Sequence, residues 1–227
     1  MGGLDYSKYF SSPKETALVR AIMDGDENSV RGLVAEGVNV NAVGEYENTP
    51  LRVAIKSRQK KIVQLLLQLG GDPNFKTPKG AAAADVAVIE KDPDYLRLFL
   101  NFGLDPNLRS GDVPLIFYAI SENNWPHYEM LLAKGADINS KNADGSTILM
   151  DLVMQLEYDR AKELLLSGAD FRAVNQTGLS VPENLVECQR RFCSDPNLPD
   201  CRKRAELLKL MQNRGLAVPT DLQGMGT

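Results

Sequence analysis

The chain has 227 residues, 43% of them hydrophobic and 25% charged, with a formal net charge of -4 and a pI near 5.2. That is enough apolar material for a sizeable core, and the acidic balance lacks the basic footprint that a nucleic-acid partner requires. No run of 18 apolar residues is present, so no bilayer-spanning helix is expected. Met1-Gly2-Gly3 opens like a myristoylation site but has Tyr6 where Ser or Thr is wanted. It reads as a cloning remnant in place of a removed leader.

In chain order, one phrase recurs: "LVAEGVNVN" from Leu33, "LLQLGGDPN" from Leu66, "FLNFGLDPN" from Phe99, "LLAKGADIN" from Leu131 and, eroded at its end, "LLLSGADFR" from Leu164. Their glycines, Gly37, Gly70, Gly103, Gly135 and Gly168, step by 33, 33, 32 and 33 residues. Units of that size lack a core of their own and stack to share one.

The second unit shows the pattern best. Thr49 can cap a first helix whose first residue is Pro50, and Leu51, Ala54 and Ile55 are spaced for one face. After "KSRQ", Ile62, Val63, Leu65, Leu66 and Leu67 form the buried stripe of a second helix, and Gly70 is placed to end it in the left-handed conformation. The other first helices open differently, with "ETAL" at Glu15, "AAAA" at Ala81, "VPLIFYA" shifted by one residue, and "STILMDL".

"NTPL", "LLLQLGGDPN" and "LLAKGADIN" at this period resemble the ankyrin repeat family, well over 13–178 and as a distorted last repeat beyond. The resemblance implies an all-α solenoid of helix-turn-helix units joined by β-hairpin-like loops, about six repeats including degenerate caps. The expected organisation is an N-terminal segment 1–12, one repeat domain over 13–217 and a tail 218–227. Within it the repeats run 13–43, 44–76, 77–109, 110–141, 142–174 and 175–217.

The last repeat is longer. Gly168 to Gly215 is 47 residues, 14 more than the period, and the excess falls between helices expected near Pro182–Phe192 and Lys203–Asn213. The insertion near 193–201, "CSDPNLPDC", is bracketed by Cys193 and Cys201, at the end of one helix and the start of its neighbour. That geometry brings two cysteines within disulfide range. A bond there would add about 2–3 kcal/mol and indicate an oxidising compartment; the alternative is two reduced thiols in an intracellular protein. Cys188 then reads as an odd, buried thiol, and the C-x4-C-x7-C spacing fits a metal site poorly.

His127, the single histidine, takes the helix position of Ile62 and reads as a core residue. Without a second histidine, a phosphate loop or a zinc motif, no enzyme chemistry, cofactor or metal is expected. Trp125 reads as packing beside the helix that Pro126 begins.

What the family resemblance leaves is a binding surface of hairpin tips and first helices on a concave face. Carried onto this sequence, it comprises Glu45, Tyr46, Glu47, Arg52, Lys56, Lys79, Arg109, Asp112, Phe117, Tyr118 and Asp144, expected to face solvent. Tyr46, between two acidic residues in "GEYEN", is the first candidate for an anchor.

The expected function is to bind and block one folded protein partner, the chain itself being a monomer. It looks like small bacterial ankyrin proteins exported to the periplasm, among them immunity proteins that neutralise secreted lipases or phospholipases. The alternative is an intracellular adaptor or assembly factor.

Overall fold

The structure, a computed structural model, describes residues 4–193 and 195–216. The expected tail 218–227, residue 217, the Met1-Gly2-Gly3 opening and Ser194 of the insertion lie outside the described residues. The fold is all-α, with paired helices and β pairing confined to hairpin tips. Two compact units are present, one ending at Ala136 and one beginning at Asp137.

In the first unit a 3-10 turn, Tyr6–Tyr9, precedes four helix pairs. They are α1 (Pro13–Asp24) with α2 (Glu27–Ala35), α3 (Pro50–Lys56) with α4 (Lys60–Gln68), α5 (Ala83–Ile89) with α6 (Pro93–Asn101), and α7 (Leu115–Ser121) with α8 (Trp125–Ala133). First helices stack on first helices, α1 on α3 on α5 on α7, and α4, α6 and α8 form a second layer. The Thr49 hydroxyl accepts the Arg52 amide proton at 3.3 Å and Pro50 opens α3, so this helix begins where its sequence says. In α4, Ile62, Val63, Leu65, Leu66 and Leu67 are all buried. Each fully buried leucine contributes about 1.5–3 kcal/mol.

The recurring asparagine explains the repeated phrase. Asn41 accepts the Asp72 amide proton at 3.0 Å and donates to the Gly70 carbonyl at 3.4 Å. Asn74 repeats this on Asp105 at 2.8 Å and Gly103 at 2.9 Å. Each aspartate then turns its own loop, Asp72 accepting from the Asn74 amide and Asp105 from the Asn107 amide, both at 2.8 Å. Every "D-x-N" thus holds its own turn with the first residue and the next repeat with the last.

The second unit contains α9 (Ile148–Met154), α10 (Tyr158–Leu166), α11 (Val181–Phe192) and α12 (Pro199–Gln212), with α9 on α11 and α10 on α12. Asn139 accepts the Asp170 amide proton at 2.8 Å in the usual way. In the eroded phrase Arg172 stands where asparagine is expected, and its guanidinium reaches the Arg214 carbonyl at 2.6 Å. The letter changed; the link to the next turn was kept by a longer side chain.

Ser180 and Glu183 form a reciprocal capping box at the start of α11. Helix α12 starts at Pro199, four residues before the expected Lys203, because proline at a first helical position needs no amide partner. Cys201 therefore lies inside the first turn of α12, and it is bonded to Cys193 with 5.6 Å between their Cα atoms. Cys188 is a free thiol.

Candidate protein-binding face

The tip that follows the first helix pair is built from residues 44–49. The Gly44 amide donates to the Asn48 carbonyl at 2.8 Å, and the Asn48 side-chain amide donates to the Glu45 carbonyl at 2.8 Å. A Cβ on Gly44 would lie 2.6 Å from the Tyr9 carbonyl oxygen, so only glycine permits this approach of the N-terminal turn. Tyr46 and Glu47 both have positive φ, 56° and 57°. Two consecutive left-handed residues other than glycine cost about 1–2 kcal/mol each, and such strain concentrates at ligand-contacting positions.

The result is a tyrosine held outward. Tyr46 is 75% exposed, the most exposed of the large hydrophobic side chains among the described residues. Its ring stands edge-on to Tyr9 with centroids 5.2 Å apart. Tyr6 lies beyond Tyr9 at 6.4 Å, and the Lys56 ammonium sits 5.5 Å from the Tyr6 ring. Burial, and then the neighbouring Arg52, push Lys56 below the ordinary lysine value. Glu47 turns the other way: the Thr77 hydroxyl, then the Lys79 backbone and ammonium, hold its carboxyl below the usual range. Lys79 approaches it to 3.7 Å. Glu47 therefore pins the tip, while Glu45 and Tyr46 are exposed.

Besides Glu47, the expected solvent exposure is corrected by the structure at Phe117 and Arg52. Phe117 is buried, 5% exposed, because α7 begins at Leu115 and its third residue turns inward. Arg52, expected to face solvent, is 16% exposed at its side chain and donates to both Asp85 carboxylate oxygens at 2.9 and 3.0 Å, and to the Ala82 carbonyl. The Ser110 hydroxyl donates to Asp85 at 2.7 Å and accepts the Ala82 amide proton at 3.0 Å. The Tyr118 hydroxyl donates to the Ser110 carbonyl at 3.2 Å, leaving the ring half-buried. This network ties α3, α5 and the hairpin tip before α7 together.

Asp85, Ser110 and Thr77 were not singled out by sequence reasoning. The available signal was that Arg52 and Asp85, 33 residues apart, hold the same place in α3 and α5 with opposite charge. Arg109 is half-buried and donates to the Asp112 carbonyl, so this hairpin is closed by its own side chain. His127 is fully buried, and burial pushes it below the ordinary histidine value, opposed by the Asp92 backbone and carboxylate. Trp125 is half-buried and edge-on to Tyr128 at 5.9 Å.

In the second unit, Asp144 is exposed, accepts the Ser146 amide proton at 2.7 Å, and is held low by Ser146. In α9, burial and then the Asp144 charge raise Asp151 to about 6. Met150, Met154, Leu179 and Asn184 line a shallow depression in this unit, with Met154 62% exposed. No helix of the described residues is long and apolar enough to cross a membrane.

A family profile described as ankyrin repeats (3 copies) matches residues 5–77. The mitochondrial disaggregase of Bos taurus is 30% identical over 170 residues, covering 70% of this chain and 23% of that protein. The B-cell lymphoma 3 protein homolog of Mus musculus is 27% identical over 164 residues, 69% of this chain and 36% of that protein. Protein PhlB of Serratia liquefaciens is 32% identical over 109 residues, 47% of this chain and 48% of that protein. The chain thus spans less than half the length of each of these relatives. With paired helices stacked at the repeat period, hairpin tips, and the asparagine links between turns, the chain belongs to the ankyrin repeat family and is a protein–protein interaction module.

Proposed function

We propose that the chain binds and blocks a partner protein through the tips and first helices of its first unit, with Tyr46 as the anchor. The observation that carries this is the strained tip, in which two left-handed residues hold a tyrosine 75% exposed against the edge of Tyr9. An interface tyrosine buries a large area at low entropy cost, and a side chain already held in place loses little further freedom on binding. The face works by occlusion rather than chemistry, with no catalytic role for His127.

The partner that fits best is a secreted toxic effector such as a phospholipase, neutralised in the periplasm by this chain as its immunity protein. Support comes from the Cys193–Cys201 bond, which belongs in an oxidising compartment, and from the likeness to a bacterial protein of modest size. The second reading, an intracellular adaptor, is favoured by the variety of the other relatives and requires all three cysteines to be reduced.

The test is affinity capture from the source organism with this chain as bait, beside intact-mass measurement with and without reductant. A secreted hydrolase that is inhibited on binding, with a disulfide opened by reductant, is the expected result. Cytosolic subunits and three free thiols would establish the adaptor instead. Tyr46→Ala should weaken binding of the captured partner by about 2 kcal/mol or more without loss of helicity. An unchanged affinity removes Tyr46 as the anchor.

A further inference from the structure

Arg204 in α12 is 7% exposed. Its guanidinium donates to the Tyr158 hydroxyl at 2.8 Å, to the Cys188 carbonyl at 3.3 Å and to the Cys193 sulfur at 3.0 Å. It also sits over the Tyr158 ring, 5.6 Å from the centroid. None of these described partners carries a negative charge. A buried cation with only neutral partners is costly, because the attraction that normally offsets its lost hydration is absent. One of the partners can become an anion: Cys193, once its bond to Cys201 is opened.

We infer that the Cys193–Cys201 bond is a thiol–disulfide exchange site, with Arg204 as the counter-charge that stabilises its reduced state. Its substrates are thiols, such as glutathione or a dithiol oxidoreductase. Cys193 is half-exposed and Cys201 is 2% exposed, so an incoming thiolate reaches Cys193 first. Attack there forms a mixed disulfide on Cys193, and Cys201 leaves as a thiolate that takes a proton. A second thiolate attacks the outer sulfur of the mixed disulfide, releases the reductant as its own disulfide, and frees Cys193 as a thiolate beside Arg204. Two thiols are oxidised, two electrons pass to the protein, and one proton goes to Cys201 and one to solvent. A stabilised reduced form makes a disulfide a stronger oxidant, and a leaving thiol of low basicity leaves faster.

Among the described hydrogen-bond partners of the Cys193 sulfur, only Arg204 is charged. Gln189, in α11, is neutral and lies 3.1 Å from the sulfur. Tyr158, in α10, bonds the far side of Arg204. Glu187 is paired with Arg191 on the exposed side of α11, and Asp200 lies in the first turn of α12 beside Cys201. The inference does not depend on the identity of any protein partner.

The experiment equilibrates the purified chain with glutathione redox buffers, traps thiols with acid and alkylating agent, and scores the Cys193–Cys201 bond by peptide mass. Arg204→Gln should be reduced about tenfold less readily than the parent, a shift of about 30 mV, and Arg204→Lys should recover part of that. Folded variants within twofold of the parent would overturn the inference. Should Arg204→Gln fail to fold by circular dichroism, the parent alone decides. The rate of Cys193 alkylation in the reduced chain should reach half its maximum well below pH 8.5, the value of an ordinary thiol. A midpoint at or above that value refutes the role given to Arg204.

Discussion

The two units place polar groups at the start of their first helices in opposite ways. In the first unit, Arg52 of α3 meets Asp85 of α5 across one repeat, and Ser110 completes the carboxylate's hydrogen bonds. In the second, Asp151 of α9 is pushed up by burial with another carboxylate, Asp144, as its charged neighbour. The backbone is the same in both. At the start of α5 a cation one period away meets the acid, whereas at the start of α9 the charged neighbour is a second acid from the preceding tip.

Asp85→Ala is expected to have the largest effect on this contrast. Removing the acceptor leaves Arg52 buried without a counter-charge and should cost about 3 kcal/mol in urea unfolding. Arg52→Met combined with Asp85→Leu should recover most of it, since an apolar pair carries no charge to desolvate. A cost below about 1 kcal/mol for Asp85→Ala would mean that the pair behaves as a solvated surface bridge, and the contrast would dissolve.

The links between turns give the next effect. Asn74→Ala removes two hydrogen bonds and should cost about 1–2 kcal/mol, with the Asp105 amide losing protection in hydrogen exchange. Arg172→Ala removes the single contact to the Arg214 carbonyl and should cost less, about 1 kcal/mol. Equal protection of the Asp105 amide in parent and Asn74→Ala would show that the turn holds itself.

Asp151→Asn should have the smallest effect, and one that depends on pH. Its folded-state value, about 6, lies above the ordinary aspartate value of 3.8, so the folded chain holds this proton more tightly than the unfolded chain. The parent therefore loses stability as pH rises from about 4 to 6, and the penalty is full above that range. Allowing for its partial exposure, Asp151→Asn should be more stable than the parent by about 1 kcal/mol at pH 7 and equal to it at pH 4. A difference that does not vary between those pH values would show that Asp151 is solvated.

Most of the helical plan was legible, because glycine, proline and apolar spacing act locally. Thr49, Pro50 and the stripe from Ile62 to Leu67 stand where those rules place them. The face was less legible because its side chains are settled by neighbours one repeat away. Arg52 looked free until Asp85 was beside it, and Glu47 looked like part of the display until Thr77 turned it inward. Phe117 was misplaced because "VPLIFYA" leaves the start of α7 open by a residue, and one residue on a helix turns a side chain by about 100°. The strain at Tyr46 had no sequence signal, since tyrosine and glutamate are not the residues that announce a left-handed turn.

The asparagine links also bear on how such a chain can change length. Each link reaches only to the turn immediately after it, from Asn41 to Asp72 and from Asn74 to Asp105, and none skips a repeat. A duplication or deletion of one whole period within the first unit would therefore rejoin every donor to an equivalent acceptor. A change of half a period would orphan an asparagine and a glycine carbonyl at the seam. Growth by whole repeats is thus open to this architecture at little structural cost, whereas the longer last repeat keeps its link only because arginine, at Arg172, replaces the asparagine.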